Sequence, residues 1–304
     1  MFKNKISCVI MGGLGNQLFQ IFTIMALSIK LKRHFFFPSK KLKGDKRQDI
    51  YWDTLLTELK SNTIDTSLHK LRLPMYKETT FHYNPDMEKH PSITNSLNGI
   101  VLFGYFQSYK YFDREAIQII KYMKINEKKQ SMKNLLNIKY KDKQVISLHF
   151  RLGDYKSLTH HYTALSIEYY KNSLEYILNS STSSSENTLS MLSTLPTLSD
   201  YVVLYFCEDN DLIDVEASID SLRIYFPYVY FERAPNNIED WQSMLLMSCC
   251  NYNVIANSTF SWWSAYLNMN PKKIICYPDR WFGVGLPTHN TNDLCPPSWI
   301  KIKW

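Results

Sequence analysis

Arg151 stands two residues after His149 in the run His149-Phe150-Arg151-Leu152-Gly153-Asp154-Tyr155. Alternate residues at a strand end face one side, so the imidazole and the guanidinium point together. A guanidinium is planar and forked and can bind two oxygens of a diphosphate. The plainer account of the same spacing is a surface ion pair between Arg151 and Asp154. A second turn, Gly12-Gly13-Leu14-Gly15-Asn16-Gln17, holds three glycines. Glycines let the backbone come close to a ligand and turn N–H groups on it. The amides of Asn16 and Gln17 can donate to an anion or orient a sugar hydroxyl. The glycine spacing is not that of a dinucleotide motif, and a bare glycine turn is commonly structural.

Two further turns carry polar chemistry. Cys207-Glu208-Asp209-Asn210-Asp211 is acidic and would repel phosphate. An Asp-x-Asp pair can hold a divalent metal, one carboxylate can accept two N–H bonds from guanine, or the acids simply cap the next helix. Asn257-Ser258-Thr259-Phe260-Ser261-Trp262-Trp263 begins with N-cap residues, and a helix N-terminus is a ready anion site. Adjacent tryptophans on a helix face different ways, so at least one of Trp262 and Trp263 belongs to the core rather than to a ligand. Asn257-Ser258-Thr259 also reads as a glycosylation sequon, which is set aside because this turn should lie in a cleft.

Each turn needs a strand before it and a helix after it. The apolar run 6–11, the helical period 18–32 and the strand-like 35–37 open an α/β fold. Residues 38–98 are polar and irregular. Strand 99–106 and helix 110–124 follow, and the Lys-rich 126–143 marks a boundary. Beyond it come strands at 144–150, 201–207, 228–231, 253–256 and 274–277. Helices at 166–178, 211–225, 240–250 and 260–267 alternate with them. That alternation predicts a parallel sheet with ligands at the carboxyl ends of its strands, where the unusual turns lie. The expected domains are 1–140 and 141–304, with a flexible Ser/Thr-rich insertion at 179–200.

The bulk numbers agree with this reading. The chain has 304 residues, 45% hydrophobic and 21% charged, enough for one large or two modest domains. Its 14% aromatic content suits sugar stacking, or simply large aromatic cores. A net charge of +7 favours anionic partners and allows a peripheral membrane contact. The positive residues are scattered, which argues against nucleic acid. The six cysteines show no zinc or redox spacing and fit a reducing compartment. No signal peptide or anchor stands out. A cytoplasmic protein is expected, or one whose anchor lies outside this sequence.

Together the motifs resemble a family. Residues 12–20, His149-x-Arg151-x-Gly153-Asp154-Tyr155 and the run 255–267 are similar to the galactoside α-1,2-fucosyltransferases, glycosyltransferase family 11. Gly104-Tyr105-Phe106-Gln107-Ser108, Ser166-x-Glu168-Tyr169-Tyr170 and Trp281-Phe282 add to the resemblance, which spans nearly the whole chain. It implies a GT-B-like fold of two facing Rossmann-like domains, with a parallel sheet in the nucleotide-binding half and the acceptor on the N-terminal side. It also implies GDP-fucose as donor, a galactose-terminated glycan as acceptor, inversion at the anomeric carbon, and no metal or other cofactor. By the same resemblance Arg151 meets the β-phosphate, His149 and Asp209 hold ribose and guanine, and Ser258, Thr259, Phe260 and Ser261 bind the diphosphate. Gly13 and Gly15 belong to the glycine turn, and Asn16 lies near the reacting centre. Leu152 departs from the pattern, since many members carry a second arginine there.

The chemistry so implied is direct displacement of GDP, with charge growing on the β-phosphate. Fixed donors must meet that charge: Arg151, the 259–261 helix start and the 12–15 amides. The base is Asp154, or His160 or His161, or the proton leaves late to the phosphate. Three alternatives stay open: another linkage or GDP-sugar, a metal-dependent transferase built on Asp209 and Asp211, and a binding module without catalysis.

Overall fold

A computed structural model describes residues 4–40, 44–45, 50–65, 68–96, 98–182 and 200–304. The chain divides into two units, 1–128 with 288–296 and 129–287 with 297–304. The division falls ahead of the expected 140/141 because residues 129–140 pack on the second unit. Lys129 Nζ donates to the carbonyls of Ser248 (3.2 Å) and Leu267 (2.7 Å), and Tyr140 Oη donates to Glu232 (2.8 Å).

In the first unit, β1 (Lys5–Cys8) leads into α1 (Leu14–Leu31). The helix starts earlier than its apolar period suggests. Gly13 is its extended N-cap, so most of the glycine turn is the first turn of α1. Every residue of α1 from Leu14 to Ser28 except Asn16 is buried, which explains an apolar content high enough to cross a bilayer. The strand expected at 35–37 is split. β2 (His34–Phe35) pairs with β1, whereas β3 (Phe37–Pro38) pairs with β4 (Thr63–Ile64). β5 (Met75–Lys77) and β6 (Ile100–Phe103) complete a parallel sheet in the order β2-β1-β6-β5. Helices α2 (Pro91–Thr94), α3 (Ala116–Tyr122) and α4 (Ile125–Lys128) follow β5 and β6 in short pieces.

The second unit begins with α5 (Gln130–Lys139) and β7 (Gln144–His149). Then come α6 (Ile167–Thr182), β8 (Tyr201–Phe206), α7 (Leu212–Tyr225), β9 (Tyr230–Arg233) and α8 (Asp240–Met247). β10 (Tyr252–Val254), α9 (Thr259–Tyr266), β11 (Ile275–Pro278) and β12 (Ile300–Ile302) close it. β12 lies in the tail, where the sequence reading had no strand. The insertion expected at 179–200 begins with the helical end of α6, and residues 183–199 lie outside the described residues.

All six strands are parallel, in the order β12-β11-β10-β7-β8-β9. From β7 the chain adds β8 and β9 on one side, then crosses over to add β10, β11 and β12 on the other. This is the doubly wound order, and its topological switch lies between β7 and β10. β8 is buried at every residue, as its unbroken apolar run Tyr-Val-Val-Leu-Tyr-Phe requires of a strand covered on both faces. Ile146, Val203 and Tyr205 pack with Tyr169 and Ile177 of α6 and with Val215 and Ile219 of α7. The chain is thus α/β and GT-B-like in carrying two α/β units, each on its own parallel sheet. No disulfide is formed among the described residues.

Candidate functional site

The switch point of the second unit gathers the ends of β7 and β10. His149 ends β7 and is buried. Burial, and then the nearby Arg151 charge, push its pKa down from 6.5 to about 3. The imidazole is therefore neutral at physiological pH. Its Nδ1 has no partner among the described residues, and its ring faces Phe260 with centroids 5.8 Å apart.

Arg151 follows on the loop. Its guanidinium pairs with Glu208 and lies 5.4 Å over the Tyr155 ring. The Asp154 backbone belongs to the short helical turn Gly153–Lys156, while its side chain lies outside the described residues. Tyr155 is itself fixed: its ring stacks on Tyr162 at 4.2 Å and 7°, and its hydroxyl donates to the Asn257 carbonyl at 3.0 Å.

The acidic turn is divided. Asp211 is buried and accepts from Gly153 N (2.6 Å) and Lys156 Nζ (3.1 Å), so it tethers the Arg151 loop. Asp209 is exposed and pairs with Arg233 at the end of β9. The two carboxylates thus have separate partners, and among the described residues no group of three metal-ligating side chains stands together.

At the end of β10, Ser258 caps α9 by accepting from Phe260 N at 3.3 Å. The first-turn amides of a helix have no intrahelical acceptor, and α9 carries no acid there. The Ser261 hydroxyl is turned inward, to the carbonyls of Ala256 and Ser258, so what that residue offers a ligand is its backbone. Trp262 and Trp263 are both fully buried, which assigns both to the core. At the other end of α9, buried Lys129 caps the Leu267 carbonyl, with its pKa lowered by burial to about 8.

Asn257 ties these pieces together. Its Nδ2 donates to the carbonyls of Thr163 (2.9 Å) and Trp281 (3.0 Å), joining the loop after β7 to the loop after β11. Its Oδ1 is buried without a partner among the described residues. His160 and His161 lie exposed in the joined loop and accept through their backbone carbonyls from Gly285 N (2.7 Å) and Gly283 N (2.8 Å).

In the first unit the glycine turn differs from expectation. Gly12 N donates to Asp45 at 2.6 Å, so this amide is occupied and a negative charge already stands beside it. Gln17 is buried and donates to the Gly12 carbonyl at 3.1 Å, which makes it part of the turn rather than an outward donor. Gly12 has φ +79, and a Cβ there would come within 2.5 Å of Asn16 Nδ2. Gly15 is buried inside α1, while Gly13 faces open space. Asn16 is half-buried. Its Oδ1 accepts from Gln107 Nε2 at 2.9 Å, across the β1–β6 switch of that sheet, which leaves Nδ2 to donate.

Sequence reasoning missed Glu208 as the partner of Arg151, and it missed Tyr155, Asn257, Asp45 and Gln107 as positioning groups. Glu208 was legible as the acid at the neighbouring strand end. Asn257 was read only as a sequon residue.

Comparison with known proteins finds the following likenesses. Residues 202–302 match the sequence model described as Glycosyl transferase family 11. The O-antigen biosynthesis glycosyltransferase WbnK of Escherichia coli is 28% identical over 323 residues, 96% of this chain and 98% of that protein. An alpha-1,2-colitosyltransferase of Escherichia coli is 24% identical over 325 residues, 96% of this chain and 97% of its own. Among solved structures, the fucosyltransferase NodZ of Bradyrhizobium superposes with a TM-score of 0.45 and 11% identity, covering 88% of this chain and 93% of that one.

Proposed function

We propose that the chain is a family 11 glycosyltransferase that transfers L-fucose from GDP-fucose to the 2-hydroxyl of a galactoside, a reading supported by the match of residues 202–302 to that family's model and by the two relatives. The observation that carries the reading is the β7–β10 switch point. There Arg151, the acid-free start of α9 and two buried polar atoms without partners among the described residues, His149 Nδ1 and Asn257 Oδ1, occupy the ends of adjacent strands. A cationic fork and a helix N-terminus suit a diphosphate. A neutral imidazole and an amide oxygen suit the uncharged hydroxyls and N–H groups of a nucleoside.

In the displacement, the acceptor oxygen bonds to C1 of fucose as the bond from C1 to the β-phosphate oxygen breaks, with inversion, and the hydroxyl proton passes to Asp154, His160 or His161, or late to the departing β-phosphate. Arg151 leaves Glu208 to meet the phosphate, where negative charge grows, and the amides of Thr259 and Ser261 complete its neutralisation. Asn16 Nδ2 of the first unit orients an acceptor hydroxyl. The acceptor is a glycan ending in galactose; the name of the relative in O-antigen biosynthesis supports a glycan acceptor. The reaction uses no metal, and the enzyme works in the cytoplasm.

Transfer of colitose is the second reading, favoured by the name of the other relative. Colitose is fucose without its 3-hydroxyl, so discrimination depends on whether a protein group bonds that hydroxyl. A donor screen tests both readings. GDP is expected to bind and UDP not to, and GDP-fucose is expected to be consumed faster than GDP-colitose and GDP-mannose. Faster use of GDP-colitose would replace the first reading by the second. Equal binding of UDP would remove both.

A further inference from the structure

Glu78 follows β5 in the polar stretch where the sequence carries no readable period. Its carboxylate accepts from Tyr105 N at 2.7 Å and, through both oxygens, from Phe106 N at 3.1 Å. Phe106 stands at φ +52, a left-handed conformation that a bulky residue adopts only when its surroundings impose it. Gly104 has no side chain for a related reason, since a Cβ there would overlap Glu78 Cβ and come within 2.6 Å of Oε2. The turn so held delivers Gln107, whose Nε2 fixes the Asn16 amide at 2.9 Å. Carboxylate, strained turn, Gln107 and Asn16 form one chain of contacts within the first unit.

We propose that Glu78 is a positioning residue: its carboxylate holds the 104–107 turn in the form that aims Asn16 at the acceptor hydroxyl. The part played by Asn16 rests on the transferase reading above, whereas the hold on the turn does not. Burial pushes the Glu78 pKa up to about 7, against the two amide bonds that lower it. Raised above the ordinary 4.5, it makes the folded protein less stable as pH rises from about 4.5 to about 7. Tyr76 and Tyr111 interact electrostatically with Glu78, and burial raises both of their pKa values, so they stay neutral around pH 7. The His90 ring lies 5.1 Å from that of Tyr76, and the Tyr83 ring 4.9 Å from that of Tyr111.

Gly104-Tyr105 is the single Gly-Tyr step in the sequence, so carbonyl-13C glycine with 15N tyrosine marks the Tyr105 amide alone. That amide is expected to titrate with a midpoint near pH 7 in the full chain, and the step is expected to vanish in Glu78→Gln. A flat profile, or a step that persists in Glu78→Gln and belongs to His90, would overturn the proposal. In the transfer assay Glu78→Gln is expected to raise acceptor KM or lower kcat by roughly 10- to 100-fold, while donor Kd stays within about twofold. Unchanged acceptor kinetics in an active protein would also overturn it. A wild-type chain inactive on every GDP-sugar would instead sink the transferase reading and Asn16 with it, while the amide titration still decides the hold on the turn.

Discussion

Arg151→Ala is expected to lower turnover by about 100- to 1,000-fold, or roughly 2.7–4 kcal/mol of transition-state stabilisation. The guanidinium is the cation that the ends of β7 and β8 bring to the switch point, and it stands over a ring that is itself stacked. Its partner Glu208 is 57% exposed, so their ion pair is worth little to the fold, about 0–1 kcal/mol. The variant should therefore melt near the wild-type temperature while its turnover collapses. Arg151→Lys keeps a charge but loses the planar fork, and should recover only part of the loss. Glu208→Gln removes the competitor for the guanidinium and should leave donor binding equal or tighter. An Arg151→Ala protein keeping more than a tenth of wild-type turnover would contradict the role.

Asn257→Ala is expected to cost stability first and activity second. It strips the Thr163 and Trp281 carbonyls of their donor. Each carbonyl left unpaired costs about 1–3 kcal/mol, so the sum is about 2–6 kcal/mol. The urea midpoint of the second unit should fall with its slope unchanged. Because Tyr155 bonds the Asn257 carbonyl and underlies Arg151, loosening of these loops should also lower kcat by roughly 10- to 100-fold. Asn257→Asp, which cannot donate and brings a charge into a buried site, should be worse on both counts. An unshifted midpoint in Asn257→Ala would show that the two loops are held by other contacts.

The second unit was largely legible in the sequence. The run 201–206 is apolar and unbroken, 144–149 is apolar at Val145, Ile146 and Leu148, and helical periods space such runs, so their order implied the parallel sheet. The order also located Arg151 and the 257–261 turn at its carboxyl edge. The unreadable parts have physical reasons. β4 and β5 are two and three residues long, too short for any period to register, and β12 is a three-residue edge strand in a proline-rich tail. Asn16 and Gln17 look alike on paper, but a rotation of about 100° around the helix separates the half-buried amide from the buried one. The ties among Asn257, Tyr155 and Arg151, and between Glu78 and the 104–107 turn, join residues far apart in sequence, and no local pattern announces them. Adjacent tryptophans at 262 and 263 invited a stacking role, yet α9 is covered widely enough to bury both.

The most direct measurement is transfer from GDP-fucose to lactose and N-acetyllactosamine in excess chelator, with the product linkage read by NMR. The account predicts fucose on the galactose 2-hydroxyl as the α anomer, formed at the same rate with or without chelator. A folded protein that binds GDP yet forms no fucosylated product, or one that places fucose on another hydroxyl, would contradict it.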